Sequence, residues 1–333
     1  MGTILGLILT SITAPHLVFY PGAQPCGMAG AYVAVAENSW ACFYNPAGLG
    51  TLTQRSVGAE FITIPSSDTG HYWSFAAASP FAHGLAAGVF GSGMLERRNS
   101  SYHPSYRLDF DIGGSLAWKP IRWVAIGANV KYFHSTFSDA FGGDTGGAVC
   151  GDVGILGRRG LPLGELKAGF AVQNIGPGFH PKNDSSGWPL GWRGGVSYEV
   201  SADQLLSPEG KALFAPAFGS AAGYWFRHWR LILTYDITQY FIRELTYSRS
   251  FSEQPWHSLG AEFRPLPFLP IRFGFFRNMT SHVWSYASGW TAGLGLDFRR
   301  VKLDLADDWF AFAPAHAMSP MPDRLRFSLS AEF

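Results

Sequence analysis

From Ser56 onward, apolar side chains recur at every second position in blocks of about ten residues, the period and length of strands that cross an outer membrane. Leu108, Phe110, Ile112, Gly114, Leu116 and Trp118 share one face, and Asp109, Asp111, Gly113, Ser115 and Ala117 the other. Val124 to Tyr132, Leu231 to Thr238 and Trp290 to Phe298 repeat the pattern. One face suits lipid, and the second, small or polar, suits a lumen. The last block places Leu325, Phe327, Leu329, Ala331 and Phe333 opposite Arg326, Ser328, Ser330 and Glu332, a closing amphipathic strand.

The connections fall into two kinds. Short ones are expected at Pro80–His83, Lys119–Arg122, Arg227–Trp229, Arg264–Pro270 and Arg299–Arg300. Long ones are expected at Thr63–Gly70, Gly93–Ser105, Ser135–Thr145, Gly176–Gly187, Tyr240–Pro255, Asn278–Ser288 and Asp307–Asp323. Short periplasmic turns alternating with long outer loops define the expected fold, an all-β transmembrane outer-membrane barrel of about 14 antiparallel strands. An even total leaves room for one spanning strand near residues 192–226. Ala217–Phe226 is preferred, because Phe226–Arg230 reads as a tight turn into Leu231, which would leave Trp192–Val200 as a ladder arm above the membrane. Trp118, Trp123, Trp225, Trp229, Tyr235 and Tyr240 near strand ends read as interfacial girdles.

Composition supports this reading. Of 333 residues, 15% are charged and 16% aromatic, with 40 glycines; soluble domains average roughly 25% charged. A net charge of +1 offers no electrostatic case for nucleic acid. No run reaches the roughly 18 apolar residues of a spanning helix, so a membrane location requires a barrel.

The chain divides into a secretory signal over residues 1–14, without its basic start, an N-terminal hatch over 15–50 and the barrel over 51–333. Ile4 to Ile12 is the apolar core of the signal. Gly22 to Gly50 is small and apolar, with Glu37 as its one Asp, Glu, Lys or Arg. Such a segment fits a lumen better than water. Cys26 and Cys42 could pair in an oxidising periplasm or remain buried thiols.

Gly27-Met28-Ala29-Gly30-Ala31-Tyr32-Val33-Ala34-Val35-Ala36-Glu37-Asn38, followed by Tyr44-Asn45-Pro46-Ala47-Gly48-Leu49, resembles the N-terminal signature of the PorV/PorQ family, within the group around the FadL long-chain fatty-acid transporter. Ala171-Val172-Gln173-Asn174-Ile175-Gly176-Pro177, Leu259-Gly260-Ala261-Glu262-Phe263 and Arg326-Phe327-Ser328-Leu329-Ser330 extend the resemblance. Cys26, Cys42 and the long stretch Ser201–Pro216 depart from it. The resemblance implies a 14-stranded barrel with an N-terminal hatch in its lumen, and a component of type IX-like secretion that binds or shuttles secreted cargo. The alternative is FadL-like transport of hydrophobic small molecules. Pro46 should force Asn45 into an extended conformation, from which its side chain holds a local turn.

Met28, Tyr32, Phe43, Tyr44, Asn45 and Pro46 are the ligand and hatch candidates. Asn45 could clasp the hatch to the wall or touch a ligand. Trp309, Phe310, Phe312, Met318 and Met321 form a candidate partner surface in an outer loop, or fold back over the barrel mouth. The ten histidines lack ligand spacing, Gly142–Gly147 lacks the Lys-Ser/Thr of a phosphate loop and reads as an outer loop or turn, and Asp307-Asp308 reads as solvated loop. No catalytic residue, metal or cofactor is expected. The expected partners are outer-membrane lipid, the barrel assembly machinery through the strand ending at Phe333, and either secreted cargo or hydrophobic ligands.

Overall fold

The computed structural model describes residues 17, 21–63, 69–98, 105–139, 142–177, 189–205, 229–241, 255–278, 288–307 and 325–333. Fourteen strands form one closed barrel in which each pairs with its sequence neighbours and the first meets the last. They are β1 (Ser56–Thr63), β2 (Thr69–Pro80), β3 (Leu85–Arg98), β4 (Ser105–Ile121), β5 (Val124–Asp139), β6 (Gly142–Leu161), β7 (Gly164–Ile175), β8 (Gly191–Ser201), β9 (Arg230–Tyr240), β10 (Trp256–Leu266), β11 (Leu269–Asn278), β12 (Ser288–Phe298), β13 (Val301–Asp307) and β14 (Arg326–Glu332). Closure is antiparallel, with Ser56 opposite Glu332 and Phe61 opposite Phe327. A closed ring leaves no sheet edge to satisfy in lipid.

The faces follow the period-two pattern. Leu116, Trp118, Ile126, Val130, Phe273, Trp290, Phe327 and Leu329 point outward and are exposed, whereas Asp109, Asp111, Ser115, Asn129, Asp236, Thr291 and Ser328 point inward and are buried. Apolar side chains outside and polar ones inside define a wall whose outer solvent is hydrocarbon. Trp118 and Trp123 sit on the outer face beside the β4–β5 turn, as expected of a girdle. Tyr240 does not join it. It falls on the inward register of β9 and is buried. Trp225 lies outside the described residues.

Three expectations about strand placement are corrected. The spanning strand in the ambiguous region is β8, which pairs with β7 on one side and directly with β9 on the other. No place remains between β8 and β9 for Ala217–Phe226, a segment outside the described residues. The β8–β9 connection therefore lies at the short-turn end and begins with a short helix, Ala202–Leu205, rather than closing in a tight turn before Leu231. Ser135–Thr145 is not a loop, because β5 and β6 stay paired out to Asp139 and Gly142. Gly142–Gly147 is thus part of β6. Likewise β3 and β4 remain paired to Arg98 and Ser105.

Candidate functional site: the lumen and its N-terminal segment

Residues 21–51 lie inside the ring. A helix, α1 (Ala23–Gly27), packs against β11 to β14, and a 3-10 turn, Pro46–Thr51, packs against β4, β5 and β6. Between them runs α2 (Ala41–Tyr44). Ala23, Tyr32, Trp40, Tyr44, Asn45 and Leu49 are essentially inaccessible to solvent. The expected secretory signal, residues 1–14, lies outside the described residues.

A buried segment with little regular structure must find partners for its backbone amides and carbonyls. Inward-facing strand side chains supply them. Glu60 on β1 accepts from Gly22 N–H at 2.9 Å, and Ser328 on β14 accepts from Ala23 N–H at 3.2 Å. Thr291 on β12 accepts from Ala29 N–H at 3.0 Å and donates to the Gly27 carbonyl at 3.1 Å. Asp236 on β9 accepts two consecutive amides through Oδ2, Tyr32 at 2.7 Å and Val33 at 2.8 Å. On the far side, Asn129 of β5 donates to the Cys42 carbonyl at 2.7 Å and Gln173 of β7 to the Phe43 carbonyl at 2.6 Å. Ala29 holds a left-handed φ of 55° beside Gly30 at 73°. Such a conformation is costly for a residue with a Cβ, and the Thr291 and Asp236 bonds bracket it.

Glycines of the wall let the segment come this close. A Cβ on Gly127 would meet the Pro46 carbonyl carbon at 2.4 Å, one on Gly154 would meet Asn45 Oδ1 at 2.1 Å, and one on Gly169 would meet the Val33 carbonyl oxygen at 2.5 Å. Across the lumen, Gly260 and Gly274 receive the backbone of Met28 and Ala29. Two glycine seats on opposite walls thus take the two halves of the segment.

The Asn45-Pro46-Ala47 element acts as a clasp. Asn45 is extended, with φ −157° and ψ 100°, as Pro46 requires. Its Oδ1 accepts from Ala47 N–H at 3.2 Å, while Nδ2 donates to the Val33 carbonyl at 3.1 Å and to the Ile155 carbonyl of β6 at 3.0 Å. All three bonds are to backbone, and they join two parts of the segment to the wall.

The remaining candidates divide by environment. Tyr32 and Tyr44 meet edge to face, 5.1 Å between ring centroids. Tyr32 OH donates to Gln24 Oε1 at 3.2 Å and Tyr44 OH to the Pro21 carbonyl at 3.1 Å. Burial raises both phenols above the ordinary tyrosine range, so both remain neutral donors. Arg193 of β8 lies over the Tyr44 ring at 5.2 Å and the Tyr240 ring at 5.8 Å, and its Nε donates to Gln173 at 2.8 Å. Met28 is buried against Gly260. Phe43 is half-buried and meets Phe90 of β3 edge to face at 5.1 Å. The partner-surface candidates Trp309, Phe310, Phe312, Met318 and Met321 lie outside the described residues.

Cys26, Cys42 and Cys150 are buried and form no disulfide among the described residues, so the open question of a Cys26–Cys42 bridge resolves toward buried thiols. Burial pushes the Cys42 thiol up to about 12. Thiolates are the reactive species, so at about pH 8 Cys42 should resist a maleimide in the folded barrel and react once the chain is unfolded in denaturant. Peptide mass spectrometry reads this directly. Ready labelling of the folded protein would contradict the packing of the segment.

Charges on the lumen side are paired toward the short-turn end. Glu37 meets Lys167 of β7 at 2.6 Å and Arg158 of β6 at 3.6 Å. Opposite, Glu262 lies 2.7 Å from Arg272 and 2.6 Å from Arg264, which reaches Asp297 at 2.6 Å. Buried pairs add little net stability against their desolvation cost, but losing one member strands the other. Glu37, the segment's only charge, is in this way tied to one side of the wall.

The period-two pattern puts Asp236, Asn129 and Thr291 on the lumen face but assigns them no partners, and it does not single out Gln173 or Arg193. The available signal was a hydrogen-bonding side chain on an inward register facing a segment rich in unsatisfied backbone. Register pairs strands with strands, however, and does not pair strands with the segment they enclose.

No protein-family model matches the chain, and no curated protein matches it. Solved structures do. The CymD monoaromatic hydrocarbon channel superposes with a TM-score of 0.59 at 12% identity, covering 95% of this chain and 98% of that one. The toluene transporter TodX of Pseudomonas putida gives 0.56 at 11%, with 94% and 98% covered. The toluene transporter TbuX of Ralstonia pickettii gives 0.53 at 12%, with 93% and 96% covered. At such identities the likeness is one of fold. The chain has the fold of these outer-membrane proteins, a closed barrel of 14 strands, and its apolar outer face places it in the bacterial outer membrane. These neighbours are named as a channel and two transporters, and none of them carries the PorV/PorQ name.

Proposed function

We propose that the chain carries small hydrophobic molecules across the outer membrane, with residues 21–51 acting as a hatch. The observation that carries this reading is the apolar, aromatic side of the segment. Phe43 packs on Phe90, and Trp256 and Phe276, 5.9 Å apart, pack against the same buried cluster that holds Met28 and Tyr32. A water-filled pore would have no use for such a surface. A greasy solute leaving water gains roughly 25 cal/mol for each Å² of apolar area it buries. The fold neighbours, a monoaromatic hydrocarbon channel and two toluene transporters, support the same class of solute. Asn45, by this reading, holds the hatch and does not touch the solute.

Secretion of type IX kind, the first expectation from the resemblance, has no support in those neighbours. Its proposed contact residues, Trp309 to Met321, lie outside the described residues.

Tryptophan fluorescence of the purified barrel, titrated with toluene and with decanoate, tests the proposal. Trp40 and Trp256 both pack in or against the segment. Saturable quenching that disappears on unfolding is expected. A linear response, the same with and without folded protein, would overturn the reading.

A further inference from the structure

The outer wall holds a second feature, unrelated to the lumen. β12, β13, β14 and β1 form an apolar groove of about 500 Å³, lined on its outer side by Phe61, Leu296, Leu303, Phe327 and Leu329. Its foot is cationic. Leu296 and Leu303 each lie three residues from the Arg299–Arg300 turn that joins β12 to β13, roughly 10 Å along a strand. Arg55, just before β1, is bonded backbone to backbone with Phe333 at 3.0 Å in both directions, which sets it beside the end of β14. The two basic positions face the same foot from either side, two strand spacings or roughly 10 Å apart.

The charge at this end is one-sided. Arg55, Arg122, Arg159, Arg299 and Arg300 are all exposed there, whereas Glu165, Glu199, Asp297 and Glu332 at that end are half-buried. Arg299, Arg300 and Arg55 form no ion pair among the described residues. The neighbouring Lys302 is engaged by Glu332 at 2.6 Å, and Asp297 by Arg264. Short turns mark the periplasmic side, where phospholipid head groups meet the wall.

We infer that this wall binds an anionic phospholipid of the periplasmic leaflet, its acyl chains against Leu296, Leu303, Phe327 and Leu329 and its phosphate on Arg299, Arg300 and Arg55. Arginine is suited to the task, because its planar fork meets two phosphate oxygens at once. Three residues of strand separate head group from groove, so a lipid whose phosphate sits on the turn lays its chains directly into the apolar channel. The other exposed arginines, Arg122 and Arg159, sit near the β4–β5 and β6–β7 turns, away from this groove.

The full chain, purified in detergent and mixed with equal amounts of phosphatidylglycerol and phosphatidylcholine of identical chains, would be examined by native mass spectrometry. The wild type should retain phosphatidylglycerol preferentially, by about fivefold for each arginine engaged. Arg299→Gln with Arg300→Gln should cut the preference about 25-fold, leaving only the share due to Arg55, while Arg122→Gln with Arg159→Gln should leave the preference in place. Arg122, Arg299 and Arg300 lie in turns and Arg159 is an exposed position near the end of β6, and heat-modifiable migration on a gel checks folding. Millimolar inorganic phosphate should fail to displace the lipid. No preference in the wild type, equal loss in both double variants, or displacement by phosphate alone would overturn the inference. None of these results bears on solute binding in the lumen, so this inference and the transport reading stand or fall separately.

Discussion

Replacing Asp236 with alanine should open a path for ions through a barrel that is otherwise closed. The carboxylate accepts the Tyr32 and Val33 amides at 2.7 and 2.8 Å in a site with no solvent access. Each buried amide left without a partner costs about 1–3 kcal/mol. The arch of residues 30–38 has few other anchors, chiefly Glu37 on Lys167 at 2.6 Å. Losing about 2–6 kcal/mol there should raise the share of time the arch spends away from the wall. Planar-bilayer recording of Asp236→Ala should show frequent openings against a quiet wild type. Asp236→Asn retains an acceptor oxygen without the charge and should fall between the two. Identical currents from all three, with unchanged thermal stability, would show that Asp236 does not hold the segment.

The glycine seats should behave more abruptly. Gly127→Leu sets a side chain where its first carbon already meets Pro46 backbone at 2.4 Å, and Gly154→Leu collides with Asn45 Oδ1 at 2.1 Å. Backbone cannot rotate out of the way as a side chain can, so the overpacking cost exceeds the usual 1–3 kcal/mol. The 14 strands pair with each other rather than with the segment, so the barrel should still close while residues 41–51 fail to dock. Expected outcomes are protease cleavage within the N-terminal segment and a large, steady ion conductance. Gly160→Leu is the control, since nothing lies within 4 Å of a Cβ there. Protection of the segment in Gly127→Leu equal to wild type would contradict the seating.

Much of the wall was legible in the sequence because lipid imposes a rule on every second residue. Leu108 to Trp118 and Trp290 to Phe298 follow it cleanly, and their faces are those expected. The rule fades where its cause fades. Ser135–Thr145 is polar and rich in small residues, consistent with strands that extend past the apolar zone, and nothing there alternates although β5 and β6 remain paired. In β8, Gly194 and Gly195 occupy both faces and erase the alternation, while Gly195 lies against Asp236 with no room for a Cβ. Lipid periodicity therefore gave no help in choosing between β8 and Ala217–Phe226. The extended Asn45 before Pro46 was legible because proline restricts its predecessor locally. Its bond to Ile155, 110 residues away, was not. The grip of Asp236 on Tyr32 and Val33 depends likewise on tertiary placement.

The most direct test is uptake by bacterial cells whose own hydrophobic-compound channels have been removed and which express this chain in their outer membrane. Labelled toluene or decanoate should enter faster than in cells with an empty vector, while small polar solutes and ions enter no faster. Docking of residues 21–51 predicts that selectivity, and Gly127→Leu should abolish it by admitting polar solutes as well. Hydrophobic uptake equal to the vector control, or equal admission of polar and apolar solutes by the wild type, would contradict a hatch-bearing hydrophobic transporter.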